Sequence, residues 1–181
     1  MGFETYQKIL AEAMEELGVE TGMSTRTQEE SFIPDCTIET DQMALIPDSY
    51  IDITAEKIRI YKELDSTQDD KTLQQMEKRL EDRFGKFPAE VQRLFDIVRI
   101  RHLAEKIGFE KVIIKNGVLI AFFVSNPVSK YYRSKRFADV LENINRNAPL
   151  FELKQNDEKL RILSRNVDSI AKAYGLLKKL Q

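Results

Sequence analysis

Two clusters of charged side chains are the places where this chain could do chemistry. In the first, Glu77, Arg79, Glu81 and Asp82 crowd the run that ends at Gly85. In the second, Lys130-Tyr131-Tyr132-Arg133-Ser134-Lys135-Arg136-Phe137 interleaves cations with aromatic rings, inside a stretch from Lys111 to Ala138 that holds six basic residues and no acid. Adjacent residues on a helix point about 100° apart, so Glu81 and Asp82 cannot converge as an acid/base pair. They can present negative charge, either as a solvated face or as a docking spot for a basic partner. In the last turn of a helix that charge is unfavourable by a few tenths of a kcal/mol unless cations such as Arg79 and Arg83 compensate. In the second cluster, Lys130, Arg133, Lys135 and Arg136 could neutralise phosphates while a tyrosine stacks on a base. Equally, Tyr132 and Phe137 fall where an amphipathic helix needs inward residues.

Most catalytic machinery is missing from the sequence. There is no GxxxxGK[ST] phosphate loop, since Gly85-Lys86 is followed by Phe87, and neither GxGxxG nor GxSxG occurs. One cysteine excludes an internal disulfide framework, and one histidine excludes HExxH ligation. Cys36 reads as a small buried hydrophobe and His102 as a packed or half-exposed helix residue. The expectation is a non-enzymatic module with no catalytic residue, cofactor or metal of its own. The run Val118–Val124 is far too short to span a bilayer and no signal-peptide pattern opens the chain, so a cytoplasmic location is expected.

Charge is unevenly spread. The 181 residues carry 28 Lys+Arg and 30 Asp+Glu, a net of −2, with 42% apolar and 32% charged residues. Residues 1–50 balance at −9 and residues 51–181 at +7. Such asymmetry bears on partners and solubility, not on fold.

The elements that must position these clusters follow from periodicity. Residues 1–18 form an amphipathic pattern on Phe3, Tyr6, Leu10, Ala13, Met14 and Leu17, closed by Gly18. It starts directly after Met1 without a capping residue, as in a piece of a longer chain. Residues 19–35 are polar and aperiodic, a linker. The compact part spans 36–181. Cys36–Thr40 reads as an edge strand, Thr54 as the cap of a helix burying Ile58, Tyr61 and Leu64, and Asp69 as the start of a helix burying Leu73, Met76, Leu80 and Phe84. Pro88 opens a third helix that Gly108 closes. Phe109–Lys115 and Val118–Val124 flank Asn116-Gly117, a strong type I′ hairpin signal. Asn126-Pro127 is expected to start another helix, short strands to surround residues 155–158, and a last helix to carry Val167, Ile170, Ala171, Tyr174 and Leu177. The class is α+β, with a helical N-terminal half and a small, largely antiparallel sheet packed with helices.

Leu80-Glu81-Asp82-Arg83-Phe84-Gly85-Lys86-Phe87-Pro88, followed by Leu94-Phe95-Asp96-Ile97-Val98-Arg99-Ile100-Arg101, resembles the C-terminal domain of bacterial transcription-repair coupling factors. Leu45-Ile46-Pro47-Asp48-Ser49-Tyr50-Ile51 and Arg59-Ile60-Tyr61-Lys62-Glu63-Leu64 fit the same family in order and spacing, and Gly2-Phe3-Glu4-Thr5-Tyr6 resembles the helix leaving its motor. The likeness is dense from about Ile46 to Val112 and thins beyond Gly117. It implies residence in the bacterial cytoplasm within an ATP-dependent DNA translocase, which displaces stalled RNA polymerase, recruits UvrA and holds DNA through its other domains. It also implies that this domain docks on the UvrB-like N-terminal module of the same protein, masks the UvrA-binding surface and restrains the motor. The family contact uses acids on the helix ahead of the Arg-Phe-Gly turn. Asp82 matches one of them. The position one turn earlier is Arg79 here, a departure, and Glu81 and Glu77 are candidates to replace its charge.

Overall fold

The computed structural model describes residues 35–156 and 159–181. The expected helix at 1–18 and nearly all of the expected linker at 19–35 lie outside the described residues. In chain order the elements are β1 (Thr37–Thr40), α1 (Thr54–Ser66), α2 (Asp70–Phe84), α3 (Ala89–Ile107), β2 (Phe109–Lys115) and β3 (Val118–Phe123). A 3₁₀ turn at Lys130–Arg133 leads to α4 (Lys135–Arg146), β4 (Glu152–Asn156), β5 (Lys159–Arg165), α5 (Ile170–Leu177) and a final 3₁₀ turn at Lys178–Leu180.

The five strands form one sheet in the order β1-β2-β3-β5-β4, an α+β arrangement as expected. Three of the four pairings are antiparallel, and β1 runs parallel to β2. A parallel pair needs a long crossover, and α1, α2 and α3 together supply it. At the β2–β3 hairpin, Asn116 (φ 53°) and Gly117 (φ 72°) both adopt positive φ, as a type I′ turn requires. Alternation along this hairpin buries Val112, Ile114, Leu119, Ala121 and Phe123 on one face.

Against that face lies α3, apolar nearly all round: Val91, Leu94, Phe95, Ile97, Val98, Ile100, Leu103, Ala104 and Ile107 are buried. A helix covered on several sides has no need of a polar stripe. Its two buried polar residues serve α1. Arg101 donates to the carbonyls of Leu64 (3.3 Å) and Asp65 (3.2 Å), and His102 Nε2 lies 2.6 Å from the carbonyl of Thr67. The last carbonyls of a helix lack partners within it, so α3 closes the C-terminal end of α1.

Three local expectations are corrected. Thr54 is the first residue of α1; Ile53 holds the cap position with no side-chain bond, and Pro47 instead terminates the preceding segment by accepting from Tyr50 and Ile51. Asn126-Pro127 opens a turn, not a helix; α4 begins only where the Ser134 hydroxyl accepts from Phe137 N–H at 3.2 Å. Val167, expected on the last helix, lies ahead of it; α5 starts at Ile170, where the Ser169 hydroxyl accepts from Lys172 N–H at 3.1 Å.

Candidate functional site

The acidic cluster sits on the last two turns of α2. Asp69 caps this helix by accepting from Thr72 N–H at 2.8 Å, and Leu73, Met76 and Leu80 face the core. That spacing leaves Glu81 and Asp82 exposed. Gly85 (φ 87°) ends the helix, its N–H donating to the Glu81 carbonyl at 2.9 Å. A Cβ at Gly85 would meet nothing within 4 Å, so the positive φ, not space, calls for glycine.

Tyr50 locks this turn from below. Its hydroxyl donates to the carbonyl of Gly85 at 2.8 Å, and its ring packs on Phe84 (6.1 Å) and edge-on to Phe87 (6.0 Å), which in turn meets Phe95 at 4.9 Å. Burial, and secondarily the charge of Glu81, raises the Tyr50 hydroxyl above the usual tyrosine value. The support is a row of aromatic rings running from the surface turn to the core helix α3. Sequence reasoning missed Tyr50; an aromatic residue just after Pro47-Asp48-Ser49 carries no signal that it will meet a turn thirty-five positions on.

The neighbouring charges are already spoken for. Arg79 reaches across to Glu63 on α1, and Arg83 to Glu56 at the start of α1 while lying 4.7 Å from the centre of the Phe84 ring. Glu77 pairs with Arg99 of α3, which also holds Asp96 at 2.9 Å. Burial works against the Arg99 charge, but Glu77 and Asp96 more than offset it. Four residues singled out from sequence therefore split into two kinds. Glu77 and Arg79 are tied into interhelical pairs, whereas Glu81 and Asp82 have no cation partner among the described residues. What the corner presents is a pair of solvent-facing carboxylates on a braced helix end.

The basic cluster is brought together differently. Lys130 and Arg133 are exposed on the 3₁₀ turn, and Lys135 and Arg136 occupy the first turn of α4, where no acid accompanies them. Lys135 pairs with Asp139 at 2.7 Å; Arg136 lines a shallow cavity of about 330 Å³ with Lys106, Val140 and Leu180. Between them, Tyr131 is wholly buried, its hydroxyl donating to the Ile107 carbonyl at 2.7 Å and its ring meeting Phe137 (5.3 Å) and Phe123 (6.2 Å). Tyr131, not Tyr132, is the main inward residue. Tyr132 is half-buried with its hydroxyl donating to the Val124 carbonyl, so neither ring stands clear for stacking on a base. Gly108 (φ 114°) lies under Tyr131: a Cβ there would fall 2.2 Å from its ring.

Among the described residues no cluster of three or more His, Cys, Asp or Glu could hold a metal ion, and no helix is long and apolar enough to cross a membrane. Cys36 is buried, and desolvation, followed by Glu105, pushes its thiol far above the ordinary range, away from nucleophilic chemistry.

Comparison with known proteins bears on this arrangement. The model of the TRCF domain family matches residues 40–134. The transcription-repair-coupling factor of Staphylococcus epidermidis is 35% identical over 112 residues, 62% of this chain and 9% of that protein. That of Rickettsia typhi is 29% identical over 180 residues, 98% of this chain and 15% of its own length, and that of Escherichia coli K12 is 29% identical over 132 residues, 71% and 11%. This chain thus spans between 9% and 15% of the length of these relatives. A crystal structure of the C-terminal domain of a transcription-repair coupling factor superposes with a TM-score of 0.63 at 20% identity, covering 81% of this chain and 88% of that one, a likeness of fold.

Proposed function

Because this chain belongs to the TRCF domain family, we propose that it is a non-catalytic regulatory domain of a transcription-repair coupling factor, docking through its acidic corner onto the UvrB-like module of the same protein. In that role it covers the surface UvrA would use and restrains an ATP-dependent motor that lies elsewhere in the protein. The observation that carries the proposal is the pair of exposed carboxylates, Glu81 and Asp82, without a cation partner among the described residues, on a helix end whose closing turn accepts a hydrogen bond from Tyr50. Negative charge at the C-terminal end of a helix is locally unfavourable, and a basic partner would relieve it. Arg79 is drawn to Glu63, so the contact rests on Asp82 and Glu81, with Glu77 committed to Arg99.

An intramolecular contact of this kind works at high effective concentration, so it can be weak and still keep a site closed. Built from exposed charges, it opens when a competitor binds and weakens with salt. The test is the full-length protein with and without this domain, titrated with UvrA. Removal of the domain, or Asp82→Arg, is expected to tighten UvrA binding; equal affinity in all three proteins would remove the masking role.

A second reading is a nucleic-acid contact by Lys130, Arg133, Lys135 and Arg136. The observation favouring it is positive charge gathered at the positive end of the α4 dipole, in a first turn that holds no acid, although Lys135 is paired with Asp139 one turn on. With both tyrosines withdrawn, such a contact would be to phosphates alone and would fall steeply with salt. Absence of a mobility shift with duplex or single-stranded DNA at roughly 50 mM salt would exclude it.

A further inference from the structure

The sheet ends at β4, and that edge is unlike the rest of the molecule. All five of its residues are exposed, and among the described residues its one neighbouring strand is β5. Register places Leu153 opposite Ile162, which is fully buried, so Leu153 lies on the core-bearing face of the sheet. It is nonetheless 45% exposed, and Leu150 just ahead of the strand is 40% exposed. The apolar face runs past the helices that cover it. On the other face stand Glu152 and Lys154, two residues apart, paired with one another at 3.2 Å, with Glu152 also held by Arg165 at 3.1 Å.

The outer side of such a strand is a row of N–H and C=O groups able to pair with another strand. The order Glu-Leu-Lys is its own complement when read antiparallel. About a twofold axis through Leu153, Leu153 meets Leu153 of a second copy on the core face, and Glu152 meets Lys154 twice on the other. A slip of two residues would set Glu152 against Glu152 or Lys154 against Lys154, and a slip of one would place Leu153 opposite a charge. One register is therefore singled out by charge.

We propose that β4 is a self-association edge through which two copies of this chain join their sheets antiparallel, centred on Leu153. The edge lies outside residues 40–134 and on a different element from the acidic corner, so it stands or falls independently of the docking role. Pairing of two five-residue strands is at the small end of protein interfaces, so the dimer is weak and concentration-dependent.

Sedimentation equilibrium of the whole chain from about 1 μM to about 1 mM, the span over which weak interfaces dissociate, reads the proposal directly. The apparent mass is expected to rise from monomer towards dimer. E152K and K154E each create two like-charge pairs by symmetry and are expected to weaken association about tenfold. The double swap E152K/K154E, and an equimolar mixture of the two single variants, are expected to recover it. K154E leaves the Glu152–Arg165 pair intact, so it carries the test even if E152K fails to fold. A chain that stays monomeric at the highest concentration would overturn the proposal. So would a dimer that K154E does not weaken, or weakening that the double swap does not reverse.

Discussion

At the end of α2, Glu81 and Asp82 sit against the negative end of a helix dipole; at the start of α4, Lys135 and Arg136 sit against the positive end. Each placement sets charge against the helix dipole end of the same sign, an unfavourable arrangement that salt and solvent screen. What surrounds them differs. At the acidic corner the adjacent cations reach across the surface to Glu63 and Glu56 of α1, and an aromatic row anchored on α3 holds the turn through Tyr50. At the basic turn the aromatic side chains themselves are drawn inward, leaving cations on a surface that has lost its stacking partners. Like-signed charge at a helix end is thus an incomplete guide to function. The corner keeps a pair of exposed acids on a helix end whose backbone turn is hydrogen-bonded by Tyr50, while the basic turn keeps charge whose nearest rings point away from solvent.

The comparison can be broken most forcefully at Tyr131. Tyr131→Ala removes a fully buried ring and its bond to Ile107, and a loss of about 3–5 kcal/mol in urea unfolding is expected. A loss below about 1 kcal/mol would mean that the ring is not the floor of the basic region.

Acidification comes next. His102 is buried between α3 and the α1–α2 joint, facing Asp70 (3.4 Å from Nδ1), the Asp69 charge and the adjacent Arg101. Burial, only partly opposed by the Thr67 carbonyl and Asp70, lowers its pKa below the usual 6.5. Its neutral form is the folded form. Its contribution is therefore complete above the ordinary histidine value and is lost as pH falls through the lowered one. Thermal melts between pH 8 and pH 5 (roughly the span histidines titrate over) should show that decline, and His102→Gln should flatten it. An unchanged slope in the variant would contradict the assignment.

Tyr50→Phe keeps the ring but removes the bond to Gly85, and is expected to cost about 1 kcal/mol with the fold intact. An equal melting temperature would show that the turn does not depend on it. The smallest stability effect carries the most meaning. Asp82→Arg replaces an acid by a cation at a helix C-terminus and should stabilise the isolated chain by a few tenths of a kcal/mol. A residue whose replacement helps folding while harming partner binding is held for the partner.

Much of the fold was legible because short-range signals decide it. Gly85 and Gly108 stop α2 and α3, and Asn116-Gly117 turns β2 into β3, each through a positive φ that few other residues accept. The parallel pairing of β1 with β2 was not legible, since it depends on how three helices pack as a crossover. Tyr132 and Phe137, read as inward, do pack on the core, but the deeper Tyr131 was missed for a local reason: a 3₁₀ turn precedes Ser134, so the α-helical period does not run through residues 130–137. At the site, Asp82 and Glu81 were found as exposed acids. The withdrawal of Glu77 to Arg99 and of Arg79 to Glu63 depends on neighbours 22 and 16 positions away, which periodicity within one helix does not reach.

Calorimetric titration of this chain into the UvrB-like module of the same protein at low salt tests the central claim most directly, with Asp82→Arg and a Lys130/Arg133/Lys135/Arg136 charge reversal run beside the unaltered sequence. Binding that Asp82→Arg weakens about tenfold, that salt weakens further, and that the basic reversal leaves unchanged is the expected result. Absence of binding by the unaltered chain, or loss of it in the basic reversal with Asp82→Arg unaffected, would contradict the account.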